Sequence, residues 1–124
     1  MAKRILVVED DERSRRLLAD VLAHHGYDVS AFESGEEGLE ALHAQRLDAA
    51  LLDIQLPGIS GFDMLAEVRA SESAALPVVA VTASVMDHDR KKILAAGFDA
   101  YLAKPVNIRE LLSTLDSLLL PNRP

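Results

Sequence analysis

One ten-residue stretch limits what this chain can fold into: Ala49-Ala50-Leu51-Leu52-Asp53-Ile54-Gln55-Leu56-Pro57-Gly58. Four apolar residues run directly into an acid, and proline and glycine close the segment. A short apolar run bounded by turn residues reads as a strand buried on both faces, as in a parallel sheet. Open parallel sheets place their chemistry beyond the C-terminal ends of the strands. Asp53 stands at such an end, where a carboxylate serves as a ligand, a nucleophile or the cap of the next turn.

The same pattern recurs along the chain. Arg4 to Val8 is a second buried strand, ending in the acids Glu9, Asp10, Asp11 and Glu12. Tyr27 to Phe32 alternates as a half-exposed edge strand should. The central strand is expected over Leu47 to Leu52, a further one over Pro77 to Val81 ending at Thr82, and the last over Phe98 to Leu102 with Lys104-Pro105 beyond it. Between them lie amphipathic segments. Arg13 to His25 carries Leu17, Leu18, Val21 and Leu22 on one side, with Gly26 as its stop. Ser34 with Glu37 is a capping box opening the second helix, Ser60 and Asp63 open the third, and Asn107 with Glu110 caps the final one. That final helix, bearing Ile108, Leu111, Leu112, Leu115, Leu118 and Leu119, is the strongest amphipathic signal. Ser84 with Asp87 opens a helix that Gly97 ends, but its middle, Asp87 to Lys92, is charged or histidine throughout. A helix with so thin an apolar face is expected to be the least firmly held.

Five strands alternating with five helices define an α/β class, a doubly wound parallel sheet of (βα)5 form. The 124 residues read as one domain over 1–120 with a short tail at 121–124. A chain of this size buries roughly two-thirds of its unfolded surface, enough for a core without staples. The absence of cysteine excludes disulfides, thiolate metal sites and a cysteine nucleophile. The apolar start is too short for a signal peptide or a membrane span, so a cytoplasmic protein is expected. A net charge of −7 argues against nucleic acid and membrane surfaces as partners.

Glu9, Asp10, Asp53, Thr82 and Lys104 all fall at the same end of such a sheet. Taken singly, each has a plain structural reading: turn-capping acids, a strand-end threonine, a solvated lysine. Together they are harder to dismiss. Clustered carboxylates repel unless something positive sits among them. With no cysteine, and no histidine near a strand tip, the ligands are all oxygen, which suits Mg²⁺ or Mn²⁺ rather than Zn²⁺. A metal, a lysine and a hydroxyl around one aspartate suit stabilisation of a transferring phosphoryl group, with Asp53 as the nucleophile. The four histidines read as helix-surface residues, and Met64 and Met86 as packing residues.

At these residues the chain resembles the receiver domains of two-component response regulators. The resemblance spans Lys3 to about Leu120 and rests on ILVVEDD at 5–11, LLDIQLPGISG at 51–61, PVVAVTA at 77–83 and YLAKP at 101–105. It implies a flavodoxin-like strand order 2-1-3-4-5, carried over from the family rather than read from the residues. It also implies that Asp53 accepts a phosphoryl group from a phosphohistidine of a sensor histidine kinase or a histidine phosphotransfer protein. Asp10, Asp53 and the backbone carbonyl of Gln55 would bind Mg²⁺ directly, with Glu9 acting through a water. Lys104 and Thr82 would contact the phosphoryl oxygens, Thr82 moving toward them while Tyr101 turns inward. This would shift the surface over 84–120 toward a downstream protein partner. Gln55 and Ser84 stand where the family tunes phosphate lifetime, Pro105 where its preceding peptide is cis, and the first helix, with Arg13, Arg15 and Arg16, where a kinase docks. Such a domain catalyses its own phosphorylation and dephosphorylation but is primarily a signalling switch.

Three other readings compete. Haloacid-dehalogenase-like phosphatases also use a strand-tip aspartate but want a second aspartate two residues on, where this chain has Gln55. A nucleotide- or flavin-binding module would want a glycine-rich loop after the first strand, where this chain has acids. A degenerate receiver, binding proteins without phosphorylation, is the alternative that remains.

Overall fold

A computed structural model describes residues 2–83 and 87–119. In chain order the elements are β1 (Arg4–Val8), α1 (Glu12–His24), β2 (Asp28–Phe32), α2 (Gly35–Ala44), β3 (Ala49–Asp53), α3 (Gly61–Ala70), β4 (Val78–Thr82), α4 (Asp87–Ala96), β5 (Ala100–Ala103) and α5 (Ile108–Leu119). The five strands form one parallel sheet in the order β2-β1-β3-β4-β5. The expected class and strand order are therefore what the chain adopts. The alternation of side chains along each strand divides the core in two. Ile5, Val7, Leu51, Val79 and Val81 face α1 and α5 through Leu18, Leu22, Leu111 and Leu115. Leu6, Val8, Leu52, Val78 and Ala80 face Leu42, Met64, Leu65, Val68 and Ile93 on α2, α3 and α4. Both faces of β1, β3 and β4 are thus covered, which is why these strands read as unbroken apolar runs.

Most starts and stops follow their local chemistry. Asp11 caps α1 by accepting from the Ser14 N–H, and that hydrogen bond holds its carboxyl below the usual carboxylate range. Gly26, at φ 99°, turns the chain out of α1. Ser60 and Asp63, expected to open a helix, do so through a full capping box. At Ser34 the box is incomplete: its hydroxyl accepts from the Glu37 N–H but donates to Glu37 Oε1 at 3.0 Å, so the carboxylate is drawn to the side chain. Asn107 Oδ1 accepts from the Glu110 N–H at 3.0 Å. The expected pairing of Ser84 with Asp87, and Met86, lie outside the described residues.

Several boundaries shift by one or two residues from the sequence reading, and at the starts of β3, β2 and β5 other hydrogen bonds stand where the ladder was expected. β3 begins at Ala49, since Asp48 turns its carboxylate onto the Arg4 N–H at 2.7 Å. β2 begins at Asp28, because the Tyr27 N–H still bonds the α1 carbonyl of Leu22. β5 begins at Ala100, because Asp99 Oδ2 accepts from the Val78 N–H at 2.8 Å and from Arg69 at 3.0 Å. Arg69, unremarked in the sequence, also donates to the carbonyls of Leu76, Ala74 and Gly97. One guanidinium therefore ties the end of α3 to the turn that closes α4.

Some surface assignments also change. His25 is not merely a surface residue: its Nε2 faces Asp116 Oδ2 at 3.3 Å, and the Tyr27 hydroxyl donates to the same carboxylate, linking α1, β2 and α5. Burial first, and Asp116 second, push the Tyr27 pKa upward. Ile108 is 44 % exposed and so is not part of the core.

α3 packs so closely under β3 that Gly61 leaves no room for a side chain. A Cβ there would lie 2.6 Å from the Asp53 carbonyl oxygen and 2.8 Å from Ile54 Cα. Both obstacles are backbone and cannot swing away. Gly61→Ala is expected to destabilise the protein by about 1–3 kcal/mol, the usual cost of overpacking, read as a lowered urea midpoint. An unchanged midpoint would show that the β3–α3 turn yields freely.

Candidate functional site

The parallel sheet delivers every strand tip to one edge. β1 and β3 are neighbours, with Val8 opposite Leu52, so the acids that follow emerge side by side. This is also where the chain reverses its direction of winding, since β2 lies on one side of β1 and β3 on the other. Asp53 pairs with Val81 and Thr82 with Ala103, which brings Thr82 and Lys104 to the same edge from β4 and the end of β5. The residues singled out in the sequence as Glu9, Asp10, Asp53, Thr82 and Lys104 therefore come together in space.

Glu9, Asp53 and Thr82 are buried, at 1 %, 3 % and 3 % exposure, whereas Asp10 is exposed. Glu9, Asp10 and Asp53 each offer a carboxylate oxygen within 4.8 Å of the others, an all-oxygen set that could hold a hard divalent cation. Lys104 Nζ lies 3.0 Å from Asp53 Oδ2 and 2.6 Å from Glu9 Oε1. The Asp53 contact is a hydrogen bond, whereas Glu9 Oε1 is buried without hydrogen-bond geometry to any partner among the described residues. A buried carboxylate oxygen facing two further carboxylates fits a cation or a water held by one.

The remaining lone pairs are fixed by backbone. The Asp11 N–H donates to Glu9 Oε2 at 3.1 Å and the Gln55 N–H to Asp53 Oδ1 at 2.9 Å. Arg15 bends back to donate to the Glu9 carbonyl at 2.9 Å, so it braces the β1–α1 turn instead of joining a solvated face. Arg16 pairs with Glu12, and Arg13 is exposed. Tyr101 is half-buried on β5, Gln55 is exposed, and the Lys104–Pro105 peptide is cis. Ser84 lies outside the described residues. Reasoning from sequence missed the Arg15 brace, because nothing in the spacing of charges along α1 tells which arginine folds back over the preceding turn.

Electrostatically the site is unbalanced, with three carboxylates against one ammonium. Burial is the main cause that pushes Glu9 up to about 7; Lys104 opposes it, and Asp53 reinforces it. Burial alone would lower the Lys104 pKa, but Glu9 and Asp53 outweigh it and raise the value above that of an ordinary lysine.

The response regulator receiver domain family model matches residues 5–116. The polar-differentiation response regulator DivK of Brucella ovis is 34 % identical over 120 residues, covering 96 % of this chain and 98 % of that protein. Among solved structures, a response regulator from Chloroflexus aurantiacus superposes with a TM-score of 0.91 at 32 % identity, covering 96 % of this chain and 98 % of that one. The receiver domain of sensor histidine kinase PA1611 from Pseudomonas aeruginosa superposes with a TM-score of 0.87 at 33 % identity and the same coverages. It carries a magnesium ion coordinated in its active-site cleft. Such a sheet, with acids and a lysine gathered at its switch point, is the receiver architecture of two-component signalling. This chain belongs to the response regulator receiver family. Among its described residues no helix is long and apolar enough to cross a membrane.

The raised Glu9 pKa fixes a sign. Folded Glu9 holds its proton more tightly than the unfolded chain does, so its contribution to stability is fully present below pH 4.5 and is lost as the pH rises through about 7. In EDTA, the Tm of the wild-type protein relative to Glu9→Gln should therefore fall across that window and then level off. A difference that stays flat with pH would refute this account of Glu9.

Proposed function

We propose that the chain is a phosphoacceptor receiver in which Asp53 takes a phosphoryl group from a phosphohistidine on a histidine kinase or histidine phosphotransfer protein. The observation that carries this reading is the convergence on Asp53. Its Oδ2 meets the Lys104 ammonium at 3.0 Å, its Oδ1 meets the Gln55 N–H at 2.9 Å, and two more acids lie within 4.8 Å. The two contacts fix the orientation of the Asp53 carboxylate for attack as a nucleophile.

In the transfer, an Asp53 carboxylate oxygen attacks phosphorus as the bond to the donor's imidazole nitrogen breaks. That nitrogen keeps the electron pair, and the product is an acyl phosphate on Asp53. Hydrolysis reverses the state when water attacks the same phosphorus and inorganic phosphate departs. Asp10, Asp53 and the Gln55 carbonyl would hold Mg²⁺ or Mn²⁺, with Glu9 acting through a water. The ion, when bound, offsets negative charge on the phosphoryl oxygens. Lys104 exchanges its carboxylate contacts for a phosphoryl oxygen, and the Thr82 hydroxyl donates to another. Drawing Thr82 toward the phosphate opens space into which Tyr101 turns, altering the face over 84–120 that a downstream protein reads. Gln55 and Ser84 would set how readily water reaches the phosphorus. The donor would dock along α1, where Arg13 and Arg16 are exposed and Leu17 is 51 % exposed. All of this suits a cytoplasmic signalling switch without direct contact to nucleic acid.

The test is incubation with acetyl phosphate, with and without Mg²⁺, followed by intact mass. One phosphoryl group should be gained only with the ion and not at all in Asp53→Asn. Lys104→Ala should slow the gain about 10²-fold, the order lost with one charge-stabilising donor. No gain under any condition would overturn the proposal in favour of a receiver that binds proteins without being phosphorylated.

A further inference from the structure

Of the arginines on α1, Arg15 is half-buried while Arg13 and Arg16 are exposed. Its Nη1 donates to the Glu9 carbonyl at 2.9 Å and reaches the Asp10 carbonyl at 3.5 Å. Those carbonyls belong to the peptides on either side of Asp10, so one guanidinium grips the backbone before and after that residue. The neighbouring acids are steered by other groups. Glu9 is held at its N–H, which donates to the Phe32 carbonyl at 3.0 Å, and at Oε2 by the Asp11 N–H at 3.1 Å. Asp53 is held by the Gln55 N–H and by Lys104. The Asp10 carboxylate has no hydrogen bond or ion pair among the described residues, yet it offers an oxygen within 4.8 Å of oxygens on both Glu9 and Asp53. With no partner for the side chain itself, the direction of its Cα–Cβ bond is set by the two flanking peptides, and Arg15 holds both.

We propose that Arg15 is a positioning residue for the divalent cation: by fixing the peptides that flank Asp10, it aims the Asp10 carboxylate at the space shared with Glu9 and Asp53 and raises the affinity of that space for the ion. The inference rests on the metal-binding part of the proposed function and is independent of phosphorylation. Two opposing effects give it a sign. As a cation beside a cation site, Arg15 repels the ion, and repulsion alone would make its removal tighten binding. As the brace of the β1–α1 turn, it orders in advance a segment that would otherwise have to be ordered when the ion binds, which would weaken binding. The repulsion is screened by solvent, since Asp10 is exposed. The brace acts on a part-buried carbonyl, so its loss outweighs the relief of charge.

The test is titration of the full chain with Mn²⁺, read by the electron paramagnetic resonance amplitude of the free ion, with Mg²⁺ as competitor. Arg15→Met keeps the aliphatic stem but neither charge nor donors. It should weaken binding of both ions about tenfold, the low end of what is lost when a group that orients a metal ligand is removed. Arg15→Lys keeps the charge, but its ammonium stands one bond short of Nη1, so its affinity should fall between those of Arg15→Met and the wild type. Arg13→Gln removes a charge from the same helix without touching the turn and should not weaken binding. Urea unfolding in EDTA shows which variants are folded under the conditions of the titration; should Arg15→Met not fold, Arg15→Lys against the wild type decides. Unchanged or tighter binding in the Arg15 variants would overturn the inference in favour of charge repulsion. A loss in Arg13→Gln as large as that in the Arg15 variants would also overturn it, because the turn contact would then not be the cause. Absence of Mn²⁺ binding, or of competition by Mg²⁺, in the wild type rejects instead the metal-binding reading on which the inference rests.

Discussion

The site depends on one ammonium held among carboxylates that would otherwise repel one another. Glu9 is almost wholly buried, beside Asp53 and exposed Asp10, and Lys104 is the cation at its centre. Burying an ionised carboxylate is costly unless it is paired or hydrogen-bonded. Here the pairing is partial: Glu9 Oε1 touches the ammonium without a well-aligned hydrogen bond. The strain is electrostatic, and under the proposed function a divalent cation or a phosphoryl group would rearrange it. Lys104 stabilises the resting cluster and is also the group best placed to follow charge as it moves.

The sheet makes that cluster possible. Because all five strands run parallel, residues far apart in the chain leave the sheet at one edge, and the β1–β3 adjacency sets two acidic tips next to each other. Tight backbone approach then fixes the acids. Gly61 lets α3 press against the Asp53 carbonyl, and the Gln55 and Asp11 amides orient Asp53 and Glu9. These amides cost little to preorganise, since the turns that carry them are already set by the fold.

Stability is distributed unevenly around this frame. α5 is anchored by fully buried Leu111 and Leu115, while the described side chains of α4 bury Ile93 and set cations over Phe62 and Tyr101. At its far end, Arg69 ties the Gly97 turn to α3 and to Asp99.

The sequence by itself determined the strand and helix order, both apolar faces of the sheet, and which five polar residues meet at one edge. Each of these follows from local periodicity and from the rule that parallel strands end on the same side. The thin apolar face of α4, where Ile93 is the one buried side chain among those described, could also be read from its run of charges between Asp87 and Lys92. Only the tertiary structure decided that Lys104 contacts Glu9 and Asp53 together, that Arg15 braces the β1–α1 turn, that Arg69 rather than an apolar residue joins α3 to the start of β5, and that Arg90 lies on Tyr101. Those contacts link residues distant in sequence through long, flexible side chains with several possible partners. Which partner wins depends on how the packed backbone leaves carbonyls, carboxylates and rings in space, and no local pattern records that.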